Sequence, residues 1–484
     1  MELTLTALAL LSTLPLGSAE KVIGTYIFHR HGDRTTKSYS PVTLTPLGQE
    51  QVFASGSYYR NLYLSPASAL HISGINPTVA DLSQLTITAP VDNVLQNSAQ
   101  VFAQALYPPT SLSSQTLANG TKVEGPLNGY QYIPVNTVSS SSGASSNADS
   151  ESNEWLQGGS GCGAAVVSSN SYFTSSSYLD TLSQTQGFYQ SLLPVIQSTF
   201  PSDKASFKNA YTIYDYVHVS TIHNSSIPSA DLLTQSTLHQ LQTRADQHEF
   251  GLAYNASEPV RAIAGSVLAG EVLQFLNSTL LSSQSSSSSS APVLGVQFGA
   301  YASFLSFFGL ASLPQVSDDF TGIVDYASSL TFELVSDDEG KSPSVRFLFS
   351  NGTASTANPP KEFPLFGQDK TVLPWDEFVN RMEEFAIKDT VSWCKACGET
   401  TGTCAVALGL TGGSGNGTAT AAGAGETQGK RGGMSLAVAG VIGALVTLVV
   451  ILGLEGLVMA VAGLRVVKKG GVRMGPDMVQ DIKA

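Results

Sequence analysis

The chain is 484 residues long, only 13% of them are charged, and the net charge is -13. This acidic balance argues against nucleic acid or an anionic lipid surface as a partner, so any phosphate recognition must come from local cations. The charged share is about half that of ordinary soluble domains, and the abundance of serine suits a glycosylated surface protein.

Residues 1–19 read as a secretory signal, with an apolar core from Leu3 to Leu16 before the small-residue exit Gly17-Ser18-Ala19. The apolar run Val22 to Phe28 predicts a buried first strand, and Arg30-His31-Gly32-Asp33-Arg34 falls where that strand should end. An imidazole between two guanidinium groups is suited to attack a phosphorus atom while the arginines neutralise its non-bridging oxygens by bidentate hydrogen bonds. Thr45 to Leu62 reads as a helix capped by Thr45. Leu85 to Thr88, Val293 to Phe298, Leu330 to Leu334 and Val345 to Phe349 carry the β-branched and aromatic residues of further strands. Tyr178 to Phe200 and Leu232 to Leu252 show helical spacing between them. Strands separated by helices over residues 20–410 predict one α/β core with an inserted, mainly helical cap. The serine tracts Ser139 to Ser152 and Ser282 to Ser290 read as exposed loops rather than domain breaks.

Six N-x-S/T sequons, at Asn119, Asn224, Asn255, Asn277, Asn351 and Asn416, all precede the second long hydrophobic segment, as expected for a lumenal or extracellular portion. In that oxidising setting the four cysteines, Cys162, Cys394, Cys397 and Cys404, favour disulfides in one of three connectivities. A zinc site on Cys394-x-x-Cys397 is the weaker alternative, and no metal or cofactor is expected. A glycine- and threonine-rich linker, residues 411–433, leads to the expected transmembrane helix, residues 434–464. Its unbroken stretch Met434 to Leu454 would be about 31 Å long as a helix, enough for one crossing. Arg465, Lys468, Lys469 and Arg473 follow it, against Lys430 and Arg431 before it, which makes residues 465–484 a cytoplasmic tail and the chain a type I, single-pass protein. A lipid-anchor signal should end in its hydrophobic tail, whereas mixed residues follow here.

Arg30 to Thr35 resembles the R-H-G-x-R-[ST] signature of the histidine acid phosphatases, branch two of the histidine phosphatase superfamily. Leu44-Thr45-Pro46-Leu47-Gly48-Gln49-Glu50-Gln51 looks like the family's L-T-x-x-G-x-x-Q helix start. Asn97-Ser98-Ala99 with Leu106-Tyr107-Pro108, and Arg244 to Phe250, resemble later family segments. The resemblance runs over roughly residues 20–400. It implies a phosphoglycerate-mutase-like core sheet flanked by helices, with a cap at roughly residues 110–260. It also implies a phosphomonoester or other anionic ligand, His31 as the phosphorylated nucleophile, and Arg30 and Arg34 as its phosphate clamps.

Two further family elements have no counterpart. The third arginine expected after the second strand is missing, because no arginine lies between Arg60 and Arg244, and Asp92-Asn93 stands in that stretch. The distal His-acid pair is replaced by Ala300-Tyr301, and no histidine follows His248. Losing a general acid removes about two to four decades of rate, and losing one electrostatic clamp about two to three. Tyr301, Asp318, Asp319 and Asp325 are the candidate replacement acids, against a plain helix-capping role for Ser317-Asp318-Asp319. Two functions therefore stand: a weak cell-surface phosphomonoester hydrolase, or an inactive relative that keeps an anion pocket for binding or structural use.

Overall fold

The computed structural model describes residues 20–137, 161–227, 231–285, 291–337 and 341–410. The expected signal segment, the tract Ser139 to Ser152, Asn416, the linker, the membrane segment and the tail lie outside them.

Eight strands form the main sheet, apart from a small hairpin of Gln115–Thr116 with Lys122–Val123: β1 (Lys21–Arg30), β2 (Leu85–Thr88), β3 (Val135–Asn136), β4 (Leu294–Gly299), β5 (Ser329–Ser336), β6 (Ser344–Ser350), β7 (Lys361–Glu362) and β8 (Val372–Pro374). Their spatial order is β8-β6-β5-β1-β4-β2-β3, with β7 also paired to β6. Pairing is parallel from β1 through β4 and β2 to β3, and antiparallel from β1 through β5 and β6 to β8. The switch falls on β1. Side chains alternate across a strand, so Tyr26 and Phe28 join one apolar cluster while Ile27 joins the other on the opposite face.

Six helices position the site: α1 (Pro46–Tyr59), α2 (Asn93–Leu106), α3 (Ala210–His223), α4 (Gln235–Ala253), α5 (Ile263–Gln284) and α6 (Tyr301–Leu310). Packing of α1 and α2 covers one face, and α5 and α6 cover the other. Between β3 and β4 is inserted a helical cap with its own apolar cluster, in which Tyr178, Tyr189, Phe207, Ile213, Val217 and Leu241 meet. Thr45 caps α1 as expected, its hydroxyl accepting from Gly48 N at 3.1 Å. The helix expected from Tyr178 splits into Ser176–Ser191 and Leu193–Ile196, with Pro194 in the first turn of the second piece, where proline is tolerated. Ser282 and Ser283 are not loop residues: α5 runs through them to Gln284.

Among the described residues one helix, Pro259–Gln284, is long and apolar enough to cross a membrane, and it is largely buried in the protein core. The cysteines pair as Cys162–Cys397 and Cys394–Cys404, which occupies both sulfurs of the Cys394-x-x-Cys397 motif. Four of the described sequon asparagines, Asn119, Asn224, Asn277 and Asn351, are exposed, and Asn255 is half-buried.

Close packing of the loop after β1 on the start of α1 depends on glycine. A Cβ at Gly32 would stand 2.1 Å from Gly48 O, so backbone would have to move. Gly32→Ala should destabilise the protein by about 3 kcal/mol in urea unfolding. Gly187→Ala, exposed on its helix and with open space at the Cβ, should instead stabilise by about 1 kcal/mol.

Candidate active site

Strand register brings three segments to one place. Arg30 pairs with Gly299, so Ala300 and Tyr301 emerge beside it, and His29 pairs with Ser329, so the turn before β5 emerges on the other side. That turn is tied directly to the site, because Ala327 N donates to His31 O at 2.9 Å. His31 is 1% exposed, and its Nδ1 lies 2.7 Å from Gly32 O. Arg30 donates to Val324 O. Its guanidinium carbon lies 4.6 Å from the centre of the Tyr326 ring and 5.5 Å from that of Tyr301. Arg34 lies 5.9 Å from the same Tyr326 ring, and the His31 ring lies 5.6 Å from it. His31, Arg30 and Arg34 thus converge around one buried phenol, whose pKa burial pushes well above the usual tyrosine value.

Cap helix α3 closes the site from above. Residues four and three apart share a helix face, and Tyr211, Asp215 and His218 occupy that spacing. Arg34, fully buried, forms an ion pair with Asp215 at 2.8 Å and donates to the Tyr211 hydroxyl at 3.1 Å. Asp215 also accepts from Thr36 Oγ1 at 2.7 Å and from Lys37 N at 2.8 Å. The Lys37 ammonium lies 5.7 Å from the Tyr211 ring, a cation near the site that no sequence motif marks. His218 stacks on Tyr214 and lies 6.0 Å from Tyr326. His223, at the end of α3, meets Asp33 at 2.5 Å, and Asp33 accepts from Thr45 Oγ1 as well.

The candidate replacement acids separate. Tyr301 stands at the start of α6 against Tyr211 and donates to Glu249 Oε2 at 2.7 Å, while Glu249 Oε1 lies 2.8 Å from His248 Nδ1. Asp318 and Asp319 are exposed in the first turn of the short helix Asp318–Thr321, which Ser317 caps. Asp325 is exposed in the turn before β5, and its charge acts on His218 and Tyr214. Asp246, on α4, accepts from Ile323 N at 2.8 Å, and burial lifts its carboxyl to about 6. Asp92 is the N-cap of α2, its carboxylate accepting from Leu95 N at 2.8 Å, which accounts for it as a structural residue. Arg60 donates to Leu106 O, and Arg244 covers the Phe188 ring.

The fold is that of the phytases. The Hafnia alvei phytase in complex with tartrate has a TM-score of 0.52 at 12% identity, covering 79% of this chain and 99% of the phytase. The Citrobacter braakii phytase has a TM-score of 0.50 at 13% identity, covering 78% and 99%. The chain belongs to the histidine phosphatase superfamily (branch 2), whose model matches residues 39–350. Comparison with curated proteins yields no match.

Asp215→Asn strands the Arg34 guanidinium in a dry setting, which should cost about 3 kcal/mol or more in urea unfolding. Inorganic phosphate should recover part of that loss by replacing the carboxylate as the counter-anion. His29, fully buried between Phe102 and Phe298, is lowered from 6.5 to about 4 by burial, against the opposing pull of its bond to Arg30 O. A histidine depressed in the folded state binds protons first in the unfolded chain, so its contribution is full above pH 6.5 and lost as pH falls from there to about 4. Unfolding free energy should drop by about 3 kcal/mol across that window, and His29→Phe should flatten the slope.

Proposed function

We propose that the chain is a slow phosphomonoester hydrolase of the histidine phosphatase type, tethered by its C-terminal segment on the outer side of a membrane. The observation that carries this reading is the convergence of His31, Arg30 and Arg34 around the Tyr326 ring at the carboxyl end of β1. There the imidazole attacks phosphorus and becomes phosphorylated, the guanidiniums hold the non-bridging oxygens, and water then releases phosphate. Ligands of open α/β sheets sit at strand carboxyl ends. Among the fold neighbours, the Hafnia alvei phytase is held with myo-inositol hexakis sulphate, which supports an anionic ligand for this chain. Slowness follows from the missing third arginine and from Ala300-Tyr301. The Tyr301 phenol is a weak acid whose proton is already directed to Glu249.

A second reading is favoured by one observation: Arg34 is already engaged by Asp215 and Tyr211, and Arg30 by Val324 O, inside a nearly closed site. In that reading the pocket serves anion binding or structure without turnover. The two separate on an aryl phosphate, whose leaving group needs little protonation. Full-length protein in detergent should hydrolyse it from acid to neutral pH, and an acid-stable trap should find no phosphohistidine because that bond is acid-labile, whereas an alkaline quench should. His31→Ala should abolish both turnover and labelling. Equal rates for wild type and His31→Ala, with no label, would establish the second reading.

A further inference from the structure

A phosphohistidine route to ordinary alkyl esters needs a proton for the departing oxygen, and the position after β4 no longer supplies one. The cap does. On the face of α3 that engages Arg34 through Tyr211 and Asp215, the next side chain is His218. Its ring stacks on Tyr214 with centroids 5.3 Å apart and lies 6.0 Å from the Tyr326 ring. The same Tyr326 ring is 5.6 Å from His31 and 4.6 Å from the Arg30 guanidinium. One imidazole therefore reaches this phenol from the strand and the other from the cap. An in-line displacement needs its nucleophile and its proton donor on opposite sides of phosphorus. Among the described residues the His218 ring makes no hydrogen bond, unlike those of His29, His31, His223 and His248.

We infer that His218 is the general acid that replaces the lost distal pair; this rests on the hydrolytic reading above. In the first step the ring nitrogen of His31 bonds to phosphorus as the ester P–O bond breaks, and its electron pair leaves with the oxygen. Protonated His218 gives that oxygen its proton, and the alcohol departs. Water then attacks the phosphohistidine, passing a proton to the now neutral His218, and phosphate leaves with His31 restored. The groups facing His218 are Asp325 from the turn before β5, Arg30 from β1, Asp33 from the loop after it, Asp215 from α3 itself, and the Tyr214 and Tyr326 rings. Burial outweighs the carboxylates and sets the ring below the usual histidine value, so its acid form is populated on the acid side of 6.5.

The test compares an aryl with an alkyl phosphomonoester, p-nitrophenyl phosphate and glycerol 2-phosphate, on full-length protein in detergent. His218→Gln should lower kcat for the alkyl ester by about 100-fold or more, and for the aryl ester by less than about tenfold. Wild-type kcat for the alkyl ester should fall as pH rises through the His218 titration. That limb should vanish in His218→Gln and move to lower pH in Asp325→Asn. His218→Asn, with near-ultraviolet circular dichroism on both variants, separates chemistry from misfolding. Equal losses on the two esters in a folded variant, or no loss, would overturn the role of His218 while leaving hydrolysis intact. A wild type that turns over neither ester would overturn the hydrolytic reading itself, and this assignment with it.

Discussion

The Arg34–Asp215 ion pair is the interaction on which the arrangement of the site depends. Both side chains are essentially removed from solvent, and each lies on a different part of the fold, the arginine on the loop after β1 and the aspartate on the cap helix α3. Desolvating two charges is expensive, and their attraction offsets it only when the remaining hydrogen-bonding capacity is filled. Here Thr36 Oγ1 and Lys37 N complete the carboxylate, and the Tyr211 hydroxyl adds an acceptor for the guanidinium. The cap is therefore fastened to the core by the same arginine that a phosphate would use. Under the hydrolytic proposal an anion entering the site would compete with Asp215, so ligand binding and cap docking would draw on one cation.

That competition explains why the motif can be intact while the site is closed. A phosphate brings more negative charge and more acceptor oxygens than a single carboxylate, and bidentate pairing with arginine favours it on geometry. Asp215 has the advantage of being covalently placed on α3, so it loses no translational freedom on pairing. Arg30, by contrast, is held through Val324 O and by two aromatic faces. A neutral carbonyl and ring quadrupoles satisfy its donors only partly in charge terms, which leaves Arg30 the readier of the two guanidiniums to receive an anion.

Local features were the legible ones. Strand β1, the Thr45 cap and the even cysteine count follow from short-range pattern, and each is present. Ala300 and Tyr301 stand after β4, as the sequence requires, but a count of histidines along the chain does not show that the insertion brings His218 and His223 to this end of the sheet. Asp33 and His223 are 190 positions apart, and no periodicity connects them. The signal that could have found α3 was the spacing of Tyr211, Asp215 and His218 on one face of a helix otherwise rich in apolar residues, since a polar stripe on a buried helix needs a polar partner. Composition alone suggests a loop at Ser282 and Ser283, whereas the apolar packing of α5 carries the helix through them.

Much of the Arg30 to Arg34 segment is also architectural, which bears on how far such a motif argues for chemistry. Gly32 is required by the approach of Gly48, Asp33 ties Thr45 and His223, and the backbone oxygen of His31 receives Ala327 N. A chain that gave up catalysis would still keep these residues to hold α1, the turn before β5 and the cap together. The two imidazole side chains are the informative groups. The imidazole of His31 meets its neighbour's carbonyl and the Tyr326 ring, and His218 faces the same ring with no hydrogen bond to its nitrogens. Chemistry in this fold must therefore be judged from the pair of imidazoles around Tyr326, not from the pentapeptide that drew attention to it.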